Sequence, residues 1–405
     1  GYSGRDTDLG IARRFGGATA AYSLRDIGAM NGHVVRVRRN SDNAEENFSA
    51  NQVASGALAD FCSTPLTVGT AVNGTGSFNN YTFTANGNTG FDADNSGGGT
   101  GSAGFPYTFK NGDVIIVTYT VTNFSSTSSL SPQIRGTNAT DSVTSIATGG
   151  TIFTANGTYT DTLTATADGT HLMFADGNTG SYTISNFAVT SHKTDGLVEI
   201  WYDQSANFRH AIQETATNQP KIVSAGVVIE INNRPAITFD GSDNFLEVDG
   251  SSSDVSNEVA YSFSPSGDFG MFIVSKQSVG NVMDSRDAGG DGIFLQQSSS
   301  TTTRFRYNGS SNNIDVTATR DAQHFNTMTL DGTTLSASID GGTAVTKTVT
   351  AGVSTTKNLV LGKAFSGNNS NFLDGEMQEA IFYENSVASE KSEIETDIDN
   401  FYSIT

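Results

Sequence analysis

The sequence predicts an all-β protein, two β-sandwiches with a few short helices. Three observations point that way. Gly counts 44 and Pro 6 among 405 residues, and Thr, Ser and Asn are abundant throughout. Many short strands joined by tight turns have this composition. Met328 and Leu330, then Leu335, Ala337 and Ile339, alternate with polar neighbours, as half-buried antiparallel strands do. Hydrophobic residues reach 36% and aromatics 9%, enough to build cores and to exclude disorder. The length suggests two or three domains.

Taken in order, Ala20, Ala21, Leu24 and Ile27 fall at helical spacing, so residues 19–27 are expected to be a short helix. A strand is expected over His33–Arg39. A second helix is expected over 54–61, with Ala54, Ala57, Leu58 and Phe61 on one face and Cys62 beside them in the core. Composition changes at Pro65. From there to His192 the chain is Thr/Gly/Asn-rich and strand-like, with turns at Asn86-Gly87, Asn111-Gly112 and Asp168-Gly169. The glycine-rich run 97–101 lacks the Lys-Ser/Thr of a phosphate cradle and is a loop. Strands resume after Pro235, with hairpin signals at Asn308-Gly309 and Asp331-Gly332. The chain ends in an amphipathic helix carrying Ile394, Ile398, Phe401 and Tyr402 on one face, capped by Asn385 or Ser386. Such a helix docks on a sandwich flank or on a partner.

The formal net charge of −20 repels phosphate backbones and excludes nucleic acid as a partner. The cluster Arg36, Arg38, Arg39 is either an anionic-ligand patch or a strand face with Val35 and Val37 turned inward. One cysteine, Cys62, rules out a disulfide within the chain. No run reads as a signal peptide, a membrane span or a lipid anchor. The five histidines show no metal-ligand spacing. Asp92, Asp94 and Asn95 are an oxygen-rich set that fits calcium, or an ordinary solvated loop. Trp201 and Tyr202 offer aromatic faces for a sugar, or Trp201 lies in the core beside Ile200. Asp203 is suited to tying down a turn.

Three stretches resemble the catalytic-domain family of arabinofuranosidase B. They are Ala21–Asp26 with Val35–Glu45, then Ala57–Cys62, then Trp201-Tyr-Asp-Gln-Ser-Ala-Asn207 continuing to Gln219-Pro220 and Asn233–Ala236. Residues 65–192 separate the second from the third and look like a domain inserted into a loop. The insert resembles jelly-roll carbohydrate-binding modules through Phe109–Asp113 and Ile184–Phe187. The part after 233 resembles a concanavalin A-like, laminin G-like sandwich through Phe239–Asp243, Ile339-Asp-Gly341 and Phe372–Ala380.

The resemblance implies a division into an arm (1–20), an amino-terminal region (21–64 with 193–232), an inserted jelly roll (65–192), a concanavalin A-like sandwich (233–388) and a terminal helix (389–405). Proteins of this composite look are frequent among phage structural proteins. It therefore implies a virion-surface or extracellular location, homo-oligomerisation, glycans as ligands, and attachment to other virion proteins through an arm carrying Arg5, Arg13 and Arg14. No membrane partner is expected. A free secreted carbohydrate-binding protein is the alternative, and an active arabinofuranosidase the third reading.

The family's acid/base aspartate sits in a loop matched here by Ser366–Asn371, with Asn368 in the acid's place. Its glutamate nucleophile falls near Gly292–Gln297, and no Asp or Glu occurs from 292 through 314. A retaining glycosidase needs both carboxyl groups, so the chain is expected not to be an enzyme. Asp291, Asp374 and Glu376 are the nearby acids that could stand in. The expected ligand-binding set is Trp201, Tyr202, Asp203, Asn368 and Asp374.

Overall fold

The computed structural model describes residues 16–28, 32–74, 81–95, 101–126, 133–137, 145–176, 180–205, 207–250, 258–353 and 355–404. Residues 1–15 of the expected arm, including Arg5, Arg13 and Arg14, and most of the run 97–101 lie outside them.

The chain is an all-β sandwich protein. In the larger body, one sheet runs through Glu45–Phe48, Val35–Arg39, Gly196–Trp201, Lys221–Ser224, Ile237–Asp240, Asp374–Tyr383, Phe269–Asp284, Gln323–Asp331 and Thr334–Ile339. The second runs through Leu246–Glu247, Val360–Leu361, the end of Phe269–Asp284, Ile293–Ser299, Thr302–Tyr307 and Asn313–Thr317. The long strand Phe269–Asp284 belongs to both, because it bends at Gly280. That residue has φ of +97°, and a Cβ there would lie 2.0 Å from the Phe372 carbonyl oxygen, so only glycine fits. At the other margin the short strand Ala211–Ile212 pairs with Gly196–Trp201 and with Leu246–Glu247, joining the two sheets. Strict alternation sends Met271, Ile273, Leu295, Phe305, Tyr307, Leu361 and Phe382 into one core between the sheets.

A ten-stranded antiparallel sheet holds the strands from Val72–Asn73 to Gly180–Lys193 and encloses its own core. That core is aromatic: Phe105 stacks on Phe187 at 4.0 Å, and Phe91, Tyr119, Phe153 and Phe174 pack edge-on around them. At the junction with the larger body, Tyr107 Oη lies 3.1 Å from His192 Nδ1, and His192 Nε2 lies 2.7 Å from Asp113 Oδ2, all buried. Tyr107 Oη also accepts the Leu66 N–H. Both points where the chain passes between the bodies are therefore tied by one polar network.

The helix expected over 19–27 is a strand, Ala18–Ser23, paired with Asp374–Tyr383. Ala20 and Tyr22 enter the main core, while Ala21 and Ile27 lie under the terminal helix. Both faces are covered, so the segment is apolar on both sides, and four of its residues imitate a helical period. In place of one helix over 54–61 the chain forms two five-residue helices, Ala50–Ala54 and Ala57–Phe61, the first opened by a Ser49–Gln52 capping box. Cys62 is buried, and burial pushes its thiol up to about 12. The terminal helix covers the outer face of the first sheet with Ile394, Ile398 and Tyr402, but starts at Lys391. Glu390 is its N-cap and makes no side-chain cap bond, so neither Asn385 nor Ser386 caps it.

Candidate functional site

The outer face of the second sheet is built by strand register. Glu247, Val360, Asp284, Phe294, Arg306 and Asn313 stand in one row, each the cross-strand partner of the next. Asn281, Gln296, Arg304 and Asp315 form the row beside it. The alternate residues Leu246, Leu361, Met283, Leu295 and Phe305 are core, so every member of both rows is turned away from the core.

Asp284 is fully buried. Arg286 donates to it from Nη2 at 2.6 Å and from Nε at 3.0 Å, and Asn281 Nδ2 donates at 2.7 Å. Burial pushes the Asp284 carboxyl up, and Arg286 opposes the shift. The Arg286 guanidinium lies 4.0 Å from the Phe294 ring centroid, and that of Arg306 lies 4.6 Å from it. Arg306 donates to Asn313 Oδ1 at 2.8 Å, and Arg304 forks onto Asp315 at 2.7 and 2.8 Å. Burial and then Arg286 and Arg304 lower the Arg306 pKa. At the other end of the row, Glu247 Oε1 accepts from Ser366 Oγ at 2.5 Å and Asn358 Nδ2 at 3.1 Å. Lys363 places Nζ 3.4 Å from the Phe245 ring centroid, and burial lowers its pKa. Phe294 is buried under these guanidinium groups, so the surface of the face is an array of guanidinium groups and amides, from Arg304, Arg306, Gln296 and Asn313, suited to vicinal hydroxyl groups.

Asn368 borders this array. It lies in the loop whose Ser366 binds Glu247, with its Oδ1 accepting from Ser370 Oγ at 2.8 Å. Gln297, in the stretch matched to the nucleophile, is buried and donates to the Ser299 carbonyl while accepting from Thr303. Asp291 is exposed in the turn after Asp284.

The other expected ligand residues lie elsewhere. Trp201 has no exposed surface, packs 5.8 Å from Tyr22 and has no acceptor for its indole N–H among the described residues. It is a core residue, and a sugar has no ring face to stack on. Tyr202 is nearly buried and donates to Asn47 Oδ1 at 2.8 Å. Asp203 accepts the N–H groups of Ala21, Ser205 and Arg209 and the Ser205 hydroxyl, at 2.8 to 3.1 Å. Its oxygens hold the turn to the strand Ala18–Ser23, which leaves them no ligand role. Asp374 is exposed on the first sheet, the cross-strand partner of Asp240. Glu376 sits 3.6 Å from Lys276 on that sheet. Asp374 and Glu376 thus stand on the first sheet, whereas Asn368 lies in the loop that binds Glu247 of the second.

The calcium set does not assemble. Phe91–Asn95 is a strand, so Asp92 and Asp94 are exposed on one face while Asn95 is buried on the other. Thr183 Oγ1 donates to Asp92 at 2.6 Å. Among the described residues no three His, Cys, Asp or Glu side chains group to hold a metal.

Asp284, Arg286, Arg304, Arg306 and Glu247 are not singled out by sequence reasoning. The signal was the alternation Thr302-Thr-Arg-Phe-Arg-Tyr307, which places two arginines on one strand face.

No family model matches the chain, and no curated protein matches its sequence. Solved structures that resemble it include a CBM40 of the Ruminococcus gnavus IT-sialidase bound to α2,3-sialyllactose, at 11% identity and a TM-score of 0.28, covering 33% of this chain and 83% of that one. A GH54 α-L-arabinofuranosidase is 15% identical with a TM-score of 0.36, covering 70% of this chain and 62% of that one. Domains LG4-5 of the mouse laminin α1 chain are 11% identical with a TM-score of 0.29, covering 93% and 89%. Likeness at this level is one of outline, and the chemistry of the chain is read from its own residues.

Proposed function

We propose that this chain binds glycans through the outer face of the second sheet and does not hydrolyse them. The observation that carries the reading is the Asp284–Arg286 pair. The one carboxylate at the centre of the row is fully buried and held by four donors at 2.6, 2.7, 2.9 and 3.0 Å, so it is unavailable as a nucleophile or a proton carrier. Asn368 stands in the acid's place, and an amide cannot cycle a proton at neutral pH. Glu247 lies two strands away from Asp284 across Val360. A spacing of about 10 Å follows from that register, beyond the about 5 Å that a retaining pair needs.

The place of action we propose is the surface of a virion, as a capsid decoration, fibre or tail component. The resemblance to phage structural proteins supports it. So does the acidic Thr/Asn/Gly-rich composition, which favours solubility in a salty medium. A homo-oligomer on such a surface turns weak sugar contacts into avid ones.

Two measurements test the proposal. Incubation at high protein concentration with aryl arabinofuranosides and arabino-oligosaccharides, followed by chromatography, is expected to return them intact. Turnover that disappears in Glu247→Gln would show a hydrolase. Immunogold labelling of the source material is expected to decorate particles, and label confined to the soluble fraction would leave a free glycan-binding protein.

A further inference from the structure

A second row of partners crosses the outer face of the first sheet: Glu45, Arg38, Leu197, Lys221, Thr238, Glu376 and Lys276. Its middle, from Arg38 to Thr238, floors a cavity of about 610 Å³ that Lys110 of the ten-stranded body closes from the far side. Arg38 is 6% exposed. Its three side-chain hydrogen bonds among the described residues go to neutral oxygens: Gln219 Oε1 at 2.7 Å, Asn43 Oδ1 at 2.6 Å and the Ala216 carbonyl at 3.0 Å. Its cross-strand neighbour Glu45 is drawn away by Arg36 at 2.7 Å. A guanidinium has five N–H donors, so two of those on Arg38 have no partner among the described residues, at a cavity it lines. Burial lowers its pKa, and Glu45 and Glu199 only oppose that, as expected for a buried charge without a direct counter-ion.

Lys110 and Lys221 add two further cations to the lining, each in an ion pair, with Asp168 at 2.9 Å and Asp195 at 2.7 Å. Asp240 is the one acid of the lining, and its Oδ1 is occupied by the Ser242 and Asp243 N–H groups. Among the described residues Arg38 is the one cation of the lining not in an ion pair, in a chain of net charge −20. Leu197 and Ile229 give the cavity an apolar patch, and Asn40, Thr217 and Asn244 give it neutral donors and acceptors.

We infer that this cleft between the two bodies binds an acidic saccharide, its carboxylate or sulfate on the free edge of Arg38, its hydroxyls on the amides and its apolar ring face on Leu197. The site is separate from the glycan face of the second sheet and stands or falls without it.

The test is calorimetric titration of the full chain with an oligogalacturonate, a sulfated galactan oligomer, a neutral galacto-oligosaccharide and inorganic phosphate. An acidic oligomer is expected to bind, more weakly as salt is raised. The half-buried pair Lys110→Gln with Lys221→Gln is expected to lower its affinity about tenfold, and Arg38→Lys, which keeps the charge and loses the fork, to lower it further. The neutral oligomer is expected to show no such dependence. No acidic oligomer bound at millimolar concentration, or unchanged affinity in the lysine double variant, would overturn the inference. Phosphate binding as tightly as the sugars would show an anion site without saccharide recognition and would overturn it too. Loss of acidic-sugar binding in Arg304→Gln/Arg306→Gln would move the ligand to the second sheet, overturning this inference while leaving the proposed function intact.

Discussion

Arg286 closes on Asp284 with Nη2 2.6 Å from Oδ2, and the same guanidinium lies 4.0 Å from the Phe294 ring centroid. One side chain thus neutralises the buried carboxylate and caps the aromatic beside it. Arg286→Met is expected to destabilise the fold by about 3–5 kcal/mol, because it leaves a buried charge unpaired. Adding Asp284→Asn is expected to restore part of that loss. Denaturant titration of the two single variants and the double variant measures the coupling.

Asp203 joins two parts of the chain that are far apart in sequence. Its four accepted hydrogen bonds reach Ala21, Ser205 and Arg209. Burial pushes its carboxyl up, and these bonds pull it back. Asp203→Ala is expected to cost about 3 kcal/mol by orphaning buried N–H groups, with sugar binding unchanged in the folded fraction. Thermal melting with a parallel binding assay checks both halves.

His210 is kept neutral. Its Nδ1 accepts the Asp203 N–H at 3.0 Å, its Nε2 is buried without a partner among the described residues, and burial lowers its pKa to about 4. The unfolded chain takes up this proton near pH 6.5 and the folded chain only near 4. This contribution to stability is therefore intact above pH 6.5 and declines as pH falls from 6.5 to 4, by an order of about 3 kcal/mol. His210→Gln is expected to flatten the pH profile of stability in that window. An unchanged slope would place the titration elsewhere.

Much of the fold is legible in the sequence because strand alternation is strict where one face is core. Met328 to Leu330 and Leu335 to Ile339 lie inside strands as their period requires. Ala18–Ser23 misleads because both of its faces are covered, and a two-faced strand loses its period. Phe91–Asn95 misleads in the opposite way: Asp92 and Asp94 suggest a loop, although their alternation with Phe91 and Ala93 is that of a strand with one wet face. The candidate site was legible only at its rim, in Asn368. Its centre depends on register, which sets Asp284 beside Phe294 and Phe294 beside Arg306, and both pairings carry an irregularity, between Asn281 and Met283 and between Gln297 and Ser299, that no residue pattern marks.

The most direct measurement is a glycan array probed with the full chain and with Arg304→Gln/Arg306→Gln. Both arginines are partly exposed and donate to Asp315 and Asn313 at the surface, so their replacement is expected to leave the melting temperature nearly unchanged. The proposal predicts a defined set of bound glycans for the native chain, recovered intact from the array and lost or weakened at least about tenfold in the double variant. No glycan bound by the native chain, or an identical set bound by the folded double variant, would contradict it.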